Sequence, residues 1–432
     1  MEFNPIIISI IALCVLCLLR INVLFSLMIS SIIAGMLSKM PVSDIMDLFI
    51  SGMGQNSETA LSYILLGTLA AAMTHTGFTE VFAYKISNLI KNNRYLLIGI
   101  IVLVSICSQN IIPVHIAFIP ILIPPLIGLM NELKIDRRLM ACSIAFGLKA
   151  PYIAIPAGFG LIFQGLVADN LTKNGVQVLK NDVWHYSIYL GLGMFIALLI
   201  AIFITYSKPR EYKNTIEYKK PEKAPQFNKS HYITLFGALV TLLVQLLTGS
   251  LPLGALIGLG VIFGFRAVSH KKMDTLLNEG VGLMGYIAFV MLVCGGYAGV
   301  LKQTGGIESL VSSVMPCVGH SVFLSVTVML LIGLLITVGI GSSFGTIPIL
   351  VVLFVPFCQN IGLSTPSIIT LICASAALGD AGSPASDTTL GPTAGLNVDG
   401  QHNHITDTCI PTFIHYNTAL IITTYIMVYI FK

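Results

Sequence analysis

Between residues 341 and 392 this chain places polar and helix-breaking residues where a membrane helix should run. The segment opens GSSFGTIPIL and closes ALGDAGSPASDTTLGP, with continuous apolar sequence on both sides. In hydrocarbon every backbone N–H and C=O needs an internal partner, so such interruptions persist only where they line a cavity. Two interrupted helices that carry Ser, Thr and Asp at bilayer depth are the mark of a solute-binding site between repeats of a membrane carrier.

Composition supports the membrane reading. The 432 residues are 55% hydrophobic and 10% charged, with a mean hydropathy of +0.89, whereas a soluble domain carries about 25% charged residues. Apolar runs recur from 6–19 to 410–431, so the expectation is an all-α polytopic protein in a lipid bilayer with about 10–12 membrane segments. The formal charge of +4 is modest and its basic residues lie in loops, which argues for topology rather than nucleic-acid binding. Residues 1–5 hold no positive charge and do not read as a cleavable leader. The nine cysteines are scattered singly. Cys14 and Cys17 form a C-x-x-C inside an expected helix with no second pair nearby, so no disulfide framework or metal centre is implied.

Lys and Arg cluster at 85–94, 134–138, 208–229 and 266–272. Placing these loops in the cytoplasm satisfies the positive-inside rule and leaves Lys39, Lys173, Lys180, Lys302 and Lys432 opposite, with both termini outside. Residues 207–230, rich in Pro, Lys and Glu, then read as a solvated cytoplasmic linker between membrane halves 1–206 and 231–432. The halves correspond in the order and spacing of Ser, Gly and Pro. The loop at 134–138 is basic and its counterpart at 360–366 is uncharged, as an inverted-topology repeat predicts.

Each repeat is expected to contain two unusual elements. The first is a helical hairpin with a polar break, at Ser108, Gln109 and Asn110 in one half and at Ser342, Ser343 and Thr346 in the other. The second is a discontinuous crossing helix, broken across 147–160 or 379–392. Ends of half-helices expose N–H groups of partial positive charge and C=O groups of partial negative charge, so facing breaks can hold an anion and a cation. Lys149, Asp380 and Asp387 fall in these breaks, and a charge at bilayer depth by default faces a cavity and has a role. Ser383, Ser386, Thr388 and Thr389 surround the two aspartates with hard oxygen ligands suited to a small cation; sodium at Asp387 and Thr388 is one expectation, and a proton on either carboxylate is the other. Lys149 reads as the counterpart of Asp380. A buried Lys–Asp pair that merely holds the halves together is the simpler reading of the same residues.

Residues 379–389, GDAGSPASDTT, resemble the G-D-x-x-S-P-x-S-D-T-T signature of the NhaC-type sodium/proton antiporter family, within the wider ion transporter superfamily. SQNIIPVHIAFIPI at 108–121 and NVDGQHNHITDTCIPTFIHYN at 397–417 are similar to a branch described as antiporter-like or amino-acid transporters. The resemblance spans essentially the whole chain. It implies paired hairpins in two inverted repeats and Na+ or H+ as coupling ion, with no other cofactor. The superfamily commonly forms homodimers, a point this sequence leaves open. Lys149 is not part of the signature, and a fixed positive charge beside a sodium site is unfavourable. That favours an organic solute, above all a zwitterionic amino acid. Lys149 and the hairpin breaks can take its carboxylate, and Asp380 or Asp387 its ammonium. Gln109, Asn110, His115 and Gln164 can read a side chain. A plain sodium/proton antiporter without organic substrate is the alternative.

Other motifs fail on context. The match of 341–345 to G-x-S-x-G lacks the soluble strand–turn–helix that a nucleophile elbow needs. His402, His404, Asp407 and His415 lie in or beside a polar loop and read as solvated. Nothing assembles acid, base and nucleophile at one depth, so no enzyme is expected, and broken helices with paired hairpins suit alternating access better than an open pore.

Overall fold

The computed structural model describes residues 4–19, 21–78, 81, 84–85, 90, 93–110, 119–213, 227–248, 250–306, 309, 321–341 and 343–431. Among these there are helices and no strands. The first half contains α1 (Pro5–Leu18), α2 (Val23–Leu37), α3 (Val42–Met53), α4 (Ser57–His75), α5 (Arg94–Asn110), α6 (Ile119–Glu132), α7 (Arg137–Ala154), α8 (Phe159–Lys173) and α9 (Lys180–Thr205). The second contains α10 (Lys229–Thr248), α11 (Leu251–Gly264), α12 (Met273–Gln303), α13 (Val322–Ile340), α14 (Ser343–Asn360), α15 (Thr365–Ala377), α16 (Asp387–Leu396) and α17 (His404–Ile430). Four of these helices are long and apolar enough to cross a membrane, α7 with α8 forms a span bent by 47°, and shorter apolar helices accompany them.

Local sequence explains where helices start. Asn4, Asn22, Asp136, Ser321, Ser364, Ser386 and Asn403 each accept a backbone N–H at a helix N-terminus, satisfying donors that lipid cannot. α7 stops at Ala154 because Ile155 precedes Pro156 and is driven into an extended conformation, φ −110° and ψ 123°. Its discontinuity is therefore confined to 155–158, narrower than the expected 147–160. The second break runs over 378–386, opened by Gly379 at φ +82°, where a Cβ would lie 2.7 Å from the Leu334 carbonyl oxygen. Pro392, expected in that break, sits inside α16.

Packing is pseudo-symmetric. α4 packs on α12 and on α11, while α12 packs on α2, the counterpart of α11. α5 packs on α7 as α13 packs on α15; α14 meets α8 as α6 meets α16. Equivalent helices run antiparallel. Gly52 abuts Gly295 and Gly67 abuts Gly280, so the α3–α4 stretch ascends while α12 descends. Gly193 abuts Thr423, Tyr186 meets Phe431 edge to face, and Thr205 reaches His415, which sets α9 against α17 the same way. A twofold axis in the membrane plane produces this relation, and an axis along the membrane normal would make equivalent helices parallel. The two repeats are inverted. Small residues at these crossings let the backbones approach closely.

The two ends of the helices differ. One end gathers His231 against the Thr76 carbonyl at 2.7 Å, Arg94 donating to the Ser207 carbonyl at 2.9 Å, and the Arg210 amide donating to the Lys134 carbonyl at 3.0 Å. The Lys213 amide donates to Gln401 Oε1 at 2.7 Å there. At the other end the Ser364 hydroxyl donates to the Phe431 carbonyl at 2.6 Å and Asn4 to the Gly306 carbonyl at 2.7 Å. The 27 residues of α17 separate the ends by about 40 Å. Lys134, Arg138, Arg210 and Lys213 share the first end, termed here the basic face. Residues 207–213, expected to be solvated, are docked against this face; 214–226 lie outside the described residues.

A buried ion pair closes the basic face. Arg137 donates to both Asp399 oxygens at 2.6 Å, with both side chains fully shielded, and to the Leu396 carbonyl at 3.1 Å. Burial alone would raise the Asp399 carboxyl, but the Arg137 guanidinium overrides it and holds the group below the usual range. Asp136, beside Arg138 and Arg210, is held down against its own burial in the same way. A depressed folded-state pKa stabilises above the unfolded value and is lost as pH falls through the folded one. Both contributions are therefore fully present from about pH 5 upward and disappear only in strong acid.

Two measurements check this architecture. Single cysteines at Lys134 and Asn360 should react with an impermeant thiol reagent from opposite sides of the membrane; labelling from one side would refute the inverted repeat. Arg137→Gln should lower stability in detergent by about 3 kcal/mol, the lower end for a buried pair deprived of one partner, and an unchanged melting temperature at pH 7 would show the pair contributes nothing.

Candidate solute and ion site at the helix breaks

Asp380 lies in the second break, three residues past the end of α15 and held between the repeats. Its Oδ2 accepts from the Lys149 ammonium, from Ser343 Oγ at 2.7 Å and from the Tyr152 hydroxyl at 3.3 Å, and its Oδ1 accepts from Ser386 Oγ. Ser343 in turn accepts from Lys149 Nζ and from the Tyr152 hydroxyl, both at 2.8 Å. The Lys149 side chain is wholly buried and that of Asp380 is 6% exposed. Both charges are out of water, so each needs its counter-charge and further hydrogen bonds to stay ionised. Four elements supply them: α7, the start of α14, the break itself and the start of α16.

Lys149 is not in a break, as expected from sequence, but on the helical part of α7. The α5–α7 crossing seats Gly147 on Ser105, and the α13–α15 crossing seats Ser375 on Gly333. Lys149 is two residues past its crossing and Asp380 five past its own, so they are not positional counterparts. They meet because the repeats face each other.

The remaining candidates divide clearly. Thr388 joins the Asp380 group: its hydroxyl donates to the Asp380 carbonyl at 3.0 Å and shares a hydrogen bond with Ser386 Oγ at 2.8 Å. Asp380, Ser386 and Thr388 thus present the oxygens a small cation takes. Asp387 turns away from them and accepts from the Tyr63 hydroxyl of α4 at 3.3 Å, so Asp387 and Thr388, expected to share a sodium ion, point to different neighbours. Ser383 and Thr389 close the break itself, donating to the Val338 carbonyl at 3.2 Å and the Ser383 carbonyl at 2.5 Å. Thr346 donates to the Ser343 carbonyl at 2.9 Å and stabilises the first turn of α14.

In the first repeat, Asn110 serves the α7–α8 break. Its Nδ2 donates to the carbonyls of Pro151, Ile155 and Ala157 at 3.0–3.3 Å, each of which also accepts a backbone N–H within the turn, so the carboxamide braces the chain across the break. Gly158, at φ +55°, passes so close that a Cβ would lie 2.6 Å from the Asn110 carbonyl oxygen. Ser108 bonds back to Ser105 in its own helix. Gln164 donates to the Ile153 carbonyl at 3.1 Å. Gln109 is fully buried, and neither end of its carboxamide has a hydrogen-bond partner among the described residues. His115 and Ser342 lie outside the described residues.

Sequence reading missed Tyr152 and Tyr63, the hydroxyl partners of the two aspartates, because a tyrosine in an apolar run looks like core. It also missed an aromatic cluster. Tyr152, Phe163 and Phe344 lie with ring centroids 5.2–5.9 Å apart, on the side of the ion pair from which α8 departs for the face opposite the basic one. His404, read as solvated, is half-buried against the break: its Nε2 donates to the Pro384 carbonyl at 2.9 Å and its Nδ1 meets Thr393 Oγ1 at 2.8 Å. Among the described residues no cluster of His, Cys, Asp and Glu is arranged to hold a metal ion.

The sequence profile of the Na+/H+ antiporter family matches residues 143–428, which include both breaks and the ion pair. The chain belongs to that family. A second profile, also described as a Na+-H+ antiporter family, matches residues 4–90. A membrane protein of Vibrio parahaemolyticus is 45% identical over 97% of this chain and 98% of its own. The Bacillus subtilis protein named "Putative amino acid transporter YuiF" is 44% identical with the same coverage. Among solved structures, the Alcanivorax borkumensis YdaH transporter covers 90% of this chain and 88% of its own at a TM-score of 0.45 and 12% identity, a distant likeness. The antiporter membership agrees with the resemblance drawn from GDAGSPASDTT and makes this a membrane-embedded member of a secondary-transporter family.

The geometry makes a stability prediction. Lys149→Met and Asp380→Asn should each destabilise the protein by about 3–5 kcal/mol, because each strands a buried charge, and the double variant should recover part of that loss. Additive losses in thermal melts of the purified variants would show that the two groups do not act as a pair.

Proposed function

We propose that this protein is a secondary active carrier of the cytoplasmic membrane that couples a sodium or proton gradient to movement of a small zwitterionic solute, an amino acid, by alternating access. The observation that carries this reading is the buried Lys149–Asp380 pair. It brings a cation and an anion together between facing repeats, in reach of two hydroxyls and two helix breaks. A carrier of sodium alone needs only the oxygen side of this arrangement. A zwitterion needs both signs: the ammonium of Lys149 for its carboxylate and the carboxylate of Asp380 for its ammonium.

The same pair suggests how coupling works. With no solute, each charge satisfies the other and Lys149 is not available. A sodium ion at Asp380, Ser386 and Thr388, or a proton on Asp380, neutralises the carboxylate and releases Lys149 to receive a substrate carboxylate. Ion binding then precedes and enables solute binding. Asp387, hydrogen-bonded to Tyr63 on α4, ties the state of the break to the neighbouring helix. The unpartnered carboxamide of Gln109 is a second donor and acceptor for the solute, since leaving it unsatisfied costs about 1–3 kcal/mol. The basic face is placed in the cytoplasm by the positive-inside rule, with both termini outside.

Proteoliposomes offered labelled amino acids, with sodium and pH gradients imposed separately, test the reading. One gradient should drive accumulation, and Asp387→Asn should abolish the drive while leaving the protein folded. Lys149→Gln should weaken affinity for the amino acid about ten- to a hundredfold, the value of one charge-assisted hydrogen bond, and weaken its amide far less. Sodium-for-proton exchange with no amino-acid competition would replace this reading with the plain antiporter.

A further inference from the structure

We infer that a cavity at the basic face is a vestibule that captures the carboxylate end of the solute before it reaches the Lys149–Asp380 pair; the inference rests on the carrier function proposed above. The cavity has a volume of about 340 Å³, within the range of small-molecule sites. Asn22, Tyr286, Thr393, Asn397, Asn403 and His404 form its polar wall, and no Asp, Glu, Lys or Arg lines it among the described residues. The walls are neutral, so their polarity depends on which ends of the amides are free.

The hydrogen bonds decide that. Asn22 Oδ1 accepts the Leu24 amide at 2.9 Å, Asn397 Oδ1 accepts the His402 amide at 3.0 Å, and Asn403 Oδ1 accepts the Ile405 and Thr406 amides at 3.0 Å. A backbone N–H can only donate, so these three oxygens are fixed as acceptors and the orientation of each carboxamide follows. Each leaves its NH₂ group, a double donor, for whatever enters the cavity. The Pro384 carbonyl likewise fixes the proton of His404 on Nε2. A neutral wall of amide donors recognises an acceptor such as a carboxylate and offers a sodium ion almost nothing.

Position supports the role. The cavity lies beside the loop that ends with Asn403, on the face where Lys134, Arg138 and Arg210 are paired with Glu211, Asp136 and Asp407. A second, apolar cavity of about 200 Å³ shares Cys17 and Ile405 with the first and is lined by Gly382 and Pro384 of the break. The second cavity adjoins the first and touches the break at Gly382 and Pro384, a few residues past Asp380. The opposite side of the pair is covered by Tyr152, Phe163 and Phe344. Because Lys149 is engaged by Asp380 and Ser343, an arriving carboxylate has to be held elsewhere until the pair opens. The three amides provide that place.

Asn403→Asp and Asn22→Asp test the inference. Aspartate caps a helix as well as asparagine does, so both variants should fold, but each replaces a donor by a negative oxygen. Ala394→Cys, in the same cavity, reports occupancy by its rate of modification with a charged, impermeant methanethiosulfonate, read against the native cysteines of the unsubstituted protein. Modification should be faster from the basic face. An equimolar pool of the twenty common amino acids should slow it at least threefold, and the corresponding amides should not. Combining Ala394→Cys with Asn403→Asp or Asn22→Asp should remove the protection, and either aspartate alone should raise the half-saturating amino-acid concentration at that face tenfold or more. Transport with no protection, and with wild-type affinity in both aspartate variants, would overturn the vestibule and leave the carrier reading standing. Protection by carboxylates in a protein that moves no amino acid would support the vestibule and overturn the carrier reading.

Discussion

Two opposite charges that have left water hold the centre of this protein together. Lys149 and Asp380 are each buried at a depth where an unpaired charge is costly, and neither repeat alone can satisfy its own. The pair requires α7 and the 378–386 break to face each other, and it requires Ser343 and Tyr152 to supply the extra hydrogen bonds that ionised groups need. The broken helices follow from this. A continuous helix would seal its own backbone groups and carry Asp380 elsewhere, whereas the break frees the chain to turn the carboxylate toward Lys149. The freed backbone is then satisfied locally by Ser383, Ser386, Thr388 and Thr389.

The first repeat solves the same backbone problem differently. There the interruption is short, Pro156 ends the helix, and one carboxamide, Asn110, braces the turn by donating to three of its carbonyls. Pseudo-symmetry therefore governs helix packing but not chemistry. One break is closed by a single neutral side chain, and the other by a cluster of hydroxyls around a carboxylate. That difference puts the buried carboxylate and its hydroxyls in the second repeat and the Lys149 ammonium in the first.

Asymmetry also separates the two faces. Arg137 with Asp399, and Arg138 and Arg210 with Asp136, tie the loop at 133–136, the segment after α9 and the loop at 397–403 into one charged network. At the opposite face the described contacts are neutral hydrogen bonds such as Ser364 to Phe431 and one exposed ion pair, Lys180 with Asp169. Arginine suits this place because its planar fork binds a carboxylate through two bonds and stays charged at any relevant pH.

Much of this was legible in the order of residues. Hydropathy marks the helices, and Gly and Pro mark where they fail, because lipid leaves the backbone no other partners. The distribution of Lys and Arg separates the two faces. The sign of charge inside each repeat, and the GDAGSPASDTT stretch with its family membership, were equally visible. Other features were decided only in three dimensions. Tyr152 and Tyr63 look like ordinary core residues until the fold brings them to the aspartates. Asp387 and Thr388 are neighbours in sequence, yet adjacent positions on a helix point about 100° apart, so they serve different partners. Arg137 reads as a loop charge in sequence, but the fold buries it against Asp399, 262 residues away. Local sequence sets which backbone groups and charges need partners; which distant side chain meets each need depends on how the two repeats pack together.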